Sequence, residues 1–586
     1  MAGSLAGACG PAFEKGPTGG TGATNGSGGA GGADAPCQPG TTAACYTGPA
    51  DTQDVGLCKA GVKVCDADGV GYGACQGEVP PAEENCEQAS DEDCDGSPND
   101  GCPCEPGSEM ECYSGPRGTA GVGSCVAGTQ VCKNTGDEYG PCAGEVLPEA
   151  EDCSGTIDKD CSGFACAQPL WNKIAGDVSG QSGSAAGIDA AGNVYAMGSF
   201  AGTIDAGGGP LISAGQSDVF VVKYDAAGNH LWSKRFGNAS NQVFGDMVVD
   251  ANGNVAVAVM SFGAGGHSLV KLDGSGATIF SKPIGDAMDG AEAKVALDSS
   301  GSVAIATSFS GCFDSTCNIE SAGKSDGYVA RYSASGSLEW ATAIGGAGDD
   351  YAGGVAFDAS GNLIVVGSFE GTINLGNSAP TALTSHGSAD MFVAKFDAAG
   401  AHAWSRNFGG AMADGIYSSG GSPVAVGATG NAIVVGSFLG TFSFEGQQMT
   451  PQGGVDILLF EITSGGVPSW AKPFGGSGYD GATGLALDAD GDLVVSATSS
   501  GAIDFGGGVL PSAGGNDLVL AKLKADGSHV WSRRFGNAEA QYSGGVATGP
   551  SREIVVVAGS PGALDFGLGP LVSAGDSDAL IAKFAP

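Results

Sequence analysis

Gly354-Val355-Ala356-Phe357-Asp358-Ala359-Ser360-Gly361-Asn362-Leu363-Ile364-Val365-Val366-Gly367-Ser368-Phe369 is two short apolar runs around a turn built from Asp, Gly and Asn. Runs of this length, rich in β-branched and aromatic residues and bounded by such turn chemistry, read as paired strands. A Gly/Pro/Ser-rich stretch leads on to a third run, Met391 to Phe396. The turn Asp397-Ala398-Ala399-Gly400 then opens a fourth run carrying Trp404. No segment carries a sustained helical period with capping signals.

Working outward, the Trp404 segment recurs. Its relatives begin at Trp171, Trp232, Phe280, Trp340, Trp470 and Trp531, and most end in a hydrophobe and glycine. Successive aromatics lie 61, 48, 60, 64, 66 and 61 residues apart. A fixed period of this size marks a repeat architecture, and four strands in each of about seven units describe the blades of a β-propeller. The last unit stops at Pro586 without an aromatic strand, whereas Pro169 to Ala175 is such a strand with no unit before it. The fragments complete each other, and closure by the N-terminal strand leaves no open sheet edge. A string of β-sandwiches is the rival reading; it expects longer periods and whole units at both ends. The unit from 237 to 285 is short. Its excursion shrinks to Gly263-Ala264-Gly265-Gly266-His267, so a notch in the rim is expected there.

The phrases Gly345-Gly346-Ala347-Gly348-Asp349-Asp350-Tyr351-Ala352, Asp189-Ala190-Ala191-Gly192-Asn193-Val194-Tyr195 and Asp390-Met391-Phe392-Val393-Ala394-Lys395-Phe396-Asp397 resemble the bacterial seven-bladed propeller repeat known as SBBP. That resemblance covers residues 167–586. It implies the propeller fold and no catalytic residues, since the family is defined by its repeat.

Residues 37–166 hold sixteen of the nineteen cysteines. Cys37, Cys45, Cys58, Cys65, Cys75, Cys86 and Cys94 recur 67 residues later as Cys104, Cys112, Cys125, Cys132, Cys142, Cys153 and Cys161; Cys102 and Cys166 complete the two sets. This is a tandem duplication into modules 37–103 and 104–166. Each has too few large apolar residues for a core, so crosslinks must supply stability. Eight cysteines allow 105 pairings, and spacing does not choose among them. Cys-x2-Cys pairs, which a zinc site would want, are absent. Cys312 and Cys317 interrupt the excursion of the third propeller unit and are expected to clamp that loop.

Cys9 is left over, which by parity favours its lipidation. Leu5-Ala6-Gly7-Ala8-Cys9-Gly10 resembles the lipobox of bacterial lipoproteins, and that resemblance implies diacylation of Cys9. Gly, Thr, Ala and Ser dominate the rest of residues 1–36, which read as a flexible tether. No apolar run is long enough to span a membrane, so the expected contact with one is the N-terminal lipid anchor.

The net charge is −40. Residues 1–166 carry 26 acids against 6 bases and the remainder 38 against 18, which disfavours nucleic acid as a partner. The acids suggest calcium instead. Asp91-Glu92-Asp93-Cys94-Asp95-Gly96 places carboxylates on alternate residues before a glycine, a pattern suited to a hard cation; Asp158-Lys159-Asp160-Cys161-Ser162-Gly163 is the second copy with one carboxylate fewer. Both resemble the acidic, cysteine-containing metal-binding motif repeats of bacterial surface proteins. The expected ligands are Asp91, Asp93 and Asp95, then Asp158, Asp160 and Ser162, with Cys102 where a twelfth-position Glu would stand. The competing reading is an acidic turn braced by disulfides.

Other chemistry-bearing residues recur with the repeat. Asp189, Asp250, Asp298, Asp358 and Asp488 open turns, while Asp218, Asp326, Asp390, Asp456, Asp517 and Asp578 begin third strands. His230, His402 and His529 share one position. Recurrence in most units is what a fold needs. Gly323-Lys324-Ser325-Asp326-Gly327 matches a nucleophile elbow but not in a strand-to-helix context. Asp289, Asp349, Asp350 and Asp480 enter first strands and suggest either turn caps or an acidic channel mouth.

The reading is an all-β chain: a seven-bladed β-propeller closed by an N-terminal strand, preceded by two small disulfide-rich modules. The expected function is a non-catalytic, extracytoplasmic cell-surface protein binding a protein or glycan. The alternatives are a propeller-based glycan-active hydrolase or lyase, and a purely structural adhesion component.

Overall fold

A computed structural model describes residues 39–66, 71–84, 90–97, 104–116, 118–136, 138–149, 158–159, 161, 167–262, 267–285, 292–313, 316–375, 382–416 and 421–586. The chain divides into two units, Met1–Cys166 and Ala167–Pro586. Neither contains a helix among the described residues.

In the first unit the duplication is visible in the backbone. Thr42–Cys45 pairs with Gly61–Val64, and Glu109–Cys112 with Gly128–Val131. Isolated bridges Lys59 to Val79 and Val126 to Val146 repeat the 67-residue offset. Disulfides join Cys45 to Cys75 and Cys58 to Cys94 in one copy, and Cys104 to Cys132, Cys112 to Cys142 and Cys125 to Cys161 in the other. Buried cystines take the place of a hydrophobic core.

The second unit is a succession of four-stranded antiparallel groups, two of them joined with excursion strands into a ten-stranded sheet and one into a six-stranded sheet. In the fourth, Asp350–Phe357, Leu363–Asn374, Ala382–Phe396 and His402–Gly410 pair in sequence order. Both faces of each sheet are covered, so the second strands read as unbroken apolar runs: every residue from Leu363 to Phe369 is buried. The cores lie between sheets. Ala304, Ala306 and Val329 of the third pack with Leu363, Val365, Phe369 and Phe392 of the fourth. Fully burying such side chains stabilises by roughly 1.5–3 kcal/mol each.

First strands touch first strands in cyclic order: Gln181–Ile188, Asn241–Val249, Lys294–Leu297, Asp350–Phe357, Val424–Val426, Asp480–Leu487 and Tyr542–Thr548, which returns to Gln181–Ile188. The seventh sheet is composite. Tyr542–Thr548, Ile554–Ser560 and Asp578–Phe584 are completed by Pro169–Ala175, with Leu580 opposite Ile174. Its core merges with that of the first sheet, where Val555 and Ile581 meet Val194 and Phe220.

The repeated aromatic has a repeated task. The indole N–H of Trp171, Trp232, Trp340 and Trp404 donates to Ala226, Gly274, Ala398 and Ser464 carbonyls at 3.1–3.2 Å, each in the turn of the following sheet. Gly400 must be glycine there: its φ is +85°, and a Cβ would sit 2.7 Å from the Trp340 ring.

The excursions contain ordered structure that the Gly/Pro/Ser composition conceals. Thr203–Asp205 pairs with Pro210–Ile212, and Ala563–Asp565 with Pro570–Val572. In the third and fourth sheets the second and third strands instead run long. In the short second unit, residues 263–266 lie outside the described residues, and His267 is buried.

Candidate metal centre

The loop from Ser90 to Ser97 is shaped by its covalent tie. Cys94, bonded to Cys58, stands at φ 63°, and Gly96 at φ 93°. That backbone buries Asp91 to 1% exposure. Its Oδ2 accepts the Gly96 N–H at 3.0 Å, while Oδ1 is buried without a partner. An unpaired buried carboxylate oxygen is costly and calls for a proton or a cation. Burial raises the Asp91 pKa, the N–H groups of Gly96 and Cys94 oppose this, and Asp93 and Asp95 add repulsion.

Glu84 reaches this loop from outside it. Its Oε1 accepts the N–H groups of Glu92 at 2.9 Å and Asp93 at 3.1 Å. One carboxylate oxygen from each of Glu84, Asp91 and Asp93 lies within 4.8 Å of the other two. Three convergent carboxylates suit a hard divalent cation such as calcium. The cluster shares Asp91 and Asp93 with the alternating set expected. Asp95 is not in it, and its Oδ1 caps the Ser97 N–H at 2.8 Å. Glu84 replaces it, and the duplication had signalled as much, since Glu151 lies 67 residues on.

In the second module Asp158 matches Asp91. It is buried, and its carbonyl accepts the Ser124 N–H at 2.8 Å as that of Asp91 accepts Leu57 at 2.9 Å. Asp160, Ser162 and Cys9 lie outside the described residues. Cys312 and Cys317 form a disulfide, so neither offers a thiolate beside Glu320.

In the second unit the recurrent charges pair within a sheet, and several of the cations reach on to the next. Lys223, Arg331, Lys395 and Lys522 pair with Asp189, Asp298, Asp358 and Asp488 at 2.8–3.3 Å. The first three also donate to Gly274, Gly361 and Ser464 carbonyls of the next sheet, and Lys583 of the seventh donates to Gly192 of the first. The Asp189 and Asp358 pKa values are lowered: although burial is the largest influence and opposes this, Asn and lysine partners outweigh it. His230 and His402 pack edge-on to Tyr224 and Phe396. Ser325 lies within the continuous strand Glu320–Tyr332, which rules out a nucleophile elbow. Asp350 and Asp480 are fully buried, so they do not line a channel mouth; Asp349 pairs with Lys324 at 2.7 Å, and Asp289 lies outside the described residues.

A surface pocket of about 440 Å³ lies between the fourth and fifth sheets, lined by His386, Asn407, Thr441, Ser443, Glu445 and Gln448 over the Gly409-Gly410 backbone.

No family model and no curated protein sequence matches the chain. Solved structures similar to it include hydrazine synthase from Kuenenia stuttgartiensis, 13% identical over 64% of this chain and 92% of that one, with a TM-score of 0.38. Sqt1 from Chaetomium thermophilum is 10% identical over 72% and 99%, TM-score 0.36. A protein of unknown function from Dyadobacter fermentans is 9% identical over 72% and 100%, TM-score 0.35. Similarity at this level assigns no function.

Proposed function

We propose that the chain is a non-catalytic, extracytoplasmic binding protein built on a seven-bladed β-propeller of the SBBP type. Two disulfide-rich modules precede the ring; the first takes calcium through Glu84, Asp91 and Asp93, and a lipid on Cys9 holds the chain at the cell surface. The propeller reading rests on the cyclic order of first-strand contacts and on the Trp171 and Lys583 bonds from the seventh sheet to the first. The cystines fit an oxidising compartment, and no helix among the described residues is long and apolar enough to cross a membrane.

The observation that carries the non-catalytic reading is that the repeat's ionisable groups are taken up in structural bonds: aspartates pair with cations of their own sheet, and Lys223, Arg331, Lys395 and Lys583 also donate to carbonyls of the next. The pocket over Gly409 and Gly410 offers amide, hydroxyl, imidazole and carboxylate groups with no lysine or arginine, a lining suited to a hydroxyl-rich sugar. The test is a glycan and surface-protein array probed with the full chain in calcium. Glycan binding lost in Asn407→Ala/Gln448→Ala supports the reading. Cleavage of a bound glycan favours a hydrolase or lyase, and an array without hits favours a purely structural component.

A further inference from the structure

Where one sheet hands over to the next, a buried Asp of one faces a buried Asp or Gln of the other. Asp218, Asp326, Asp390, Asp456, Asp517 and Asp578 each accept, through Oδ2, the backbone N–H four residues earlier. The first strand of the following sheet, or the segment leading into it, supplies Gln242, Asp350, Asp414, Asp480, Gln541 and Gln181, which accept from four residues earlier in the same way. All twelve side chains are buried. A Cβ at Gly237 would collide with both Asp218 and Gln242, and one at Gly176 with both Asp578 and Gln181. Backbone bonds fix this approach: the N–H groups of Gln181, Gln242, Asp414, Asp480 and Gln541 donate at 2.7–2.8 Å to the residue preceding the facing Asp.

Two chemistries fill the six described junctions. Where glutamine faces aspartate, the residue four earlier is Asp177, Asn238 or Asn537, whose side chain accepts the glutamine amide. Arg235 and Arg534 neutralise the facing Asp at two of these. Where aspartate faces aspartate, the residue four earlier is Gly346, Gly410 or Gly476, and the arginine position holds Ala343, Asn407 or Pro473. The acid and the bare glycine change together; the acidic junctions have no arginine at this position, and the Asp578/Gln181 junction, with Ile174 there, lacks it too. Two buried carboxylates without a cation do not both ionise readily.

We propose that Asp326/Asp350, Asp390/Asp414 and Asp456/Asp480 are proton-operated latches. Each pair shares a proton, and the four consecutive sheets from the third to the sixth bind one another more tightly as the medium becomes mildly acidic.

Burial pushes Asp350 and Asp414 up to about 6, and the facing Asp326 and Asp390 add to it. Asp326, Asp456 and Asp480 are also raised, chiefly by burial. The other charged groups grade the three junctions. At Asp326/Asp350, Asp349 adds repulsion while paired with Lys324, and Glu370 offers only its backbone N–H. At Asp390/Asp414, His386 bonds Asp390 at 2.7 Å. At Asp456/Asp480, Arg534 lowers Asp480, so that latch is the weakest. A raised carboxyl pKa means that folding takes up protons, so the stability is full below the unfolded value near 4 and is lost as pH rises through about 6. Between pH 7 and pH 5 the Asp326/Asp350 and Asp390/Asp414 pairs should each raise the folded-to-unfolded ratio about tenfold, and the Asp456/Asp480 pair should raise it less.

The test is urea unfolding of the full chain at pH 7 and pH 5, for wild type, Asp350→Asn/Asp414→Asn and Gln541→Glu. The double variant should be the more stable protein at pH 7 and lose that advantage at pH 5. Gln541→Glu should do the opposite, losing stability at pH 7 and recovering it in acid. Asp246, pushed up to about 6 by burial, titrates in the same range but is common to all three proteins. His386→Gln removes the imidazole and should leave the Asp326/Asp350 response. A double variant less stable than wild type at pH 7, or a difference unchanged between the two pH values, overturns the proposal. If the double variant does not fold, the infrared spectrum of Asp246→Asn, which lacks the other buried carboxyl pushed up to about 6, decides. A protonated-carboxyl band present at pH 5 and lost by pH 7 supports the latch, and its absence at pH 5 refutes it.

Discussion

Replacing Glu84 by glutamine should weaken calcium binding, whereas Asp95→Asn should leave it nearly unchanged. Unit charges 4.8 Å apart repel by about 3.5 kcal/mol at an effective dielectric near 20. Three such pairs meet among Glu84, Asp91 and Asp93, and solvent at the partly exposed Glu84 and Asp93 lowers each term. Calcium converts that repulsion into attraction. Without a bidentate Glu at the end of the loop, the dissociation constant should fall at roughly 10⁻⁴ to 10⁻³ M. Losing one of three carboxylates should then cost at least about 1.4 kcal/mol, a tenfold drop. Calorimetric titration of the chelator-stripped full chain measures this directly. If Glu84→Gln titrates like wild type while Asp95→Asn loses the heat, the ligands are the alternating aspartates and the geometric reasoning fails. No heat from wild type at millimolar calcium would leave only an acidic turn.

Lys395→Met should destabilise the ring by about 3 kcal/mol in equilibrium unfolding, because it leaves Asp358 buried and without its 2.8 Å partner. Gly400→Ala should cost about 2 kcal/mol through its left-handed backbone alone, and more if the Trp340 ring cannot move; an unchanged midpoint would show that the turn relaxes freely. Reductant should expose residues 39–161 to proteolysis while residues 167–586 resist, apart from the Cys312–Cys317 loop. Equal cleavage of both units would mean that the ring also depends on the cystines.

Strand runs and their turns were legible because each is local: Leu363 to Val366 is an unbroken apolar run and Asp358 caps its own turn at Ser360 and Asn362. The excursion hairpins were not. Asp205 gathers the N–H groups of Gly207 and Gly209 into a tight turn, so the segment pairs without β-forming residues at its tip. Asp350 and Asp480 belong to junctions, and spacing within one unit does not reveal what the neighbouring sheet places over a side chain. Glu84 carried one signal, its repetition as Glu151, but its approach to Asp91 depends on a fold held by the Cys58–Cys94 bond.

The composite seventh sheet has a consequence for the order of events during synthesis. Pro169–Ala175 is made early, yet its partner Asp578–Phe584 is made some 400 residues later. Loop-closure entropy grows only slowly with that distance, so the delay costs little stability but much time. Until then every nascent chain carries two open sheet edges, one at each end of an unfinished ring. Both strands contain lysines, Lys173 and Lys583, and such charges on an exposed edge discourage pairing with another molecule. The last strand thus acts as the commitment step of folding, because only it joins Pro169–Ala175 to the sheet begun by Tyr542–Thr548.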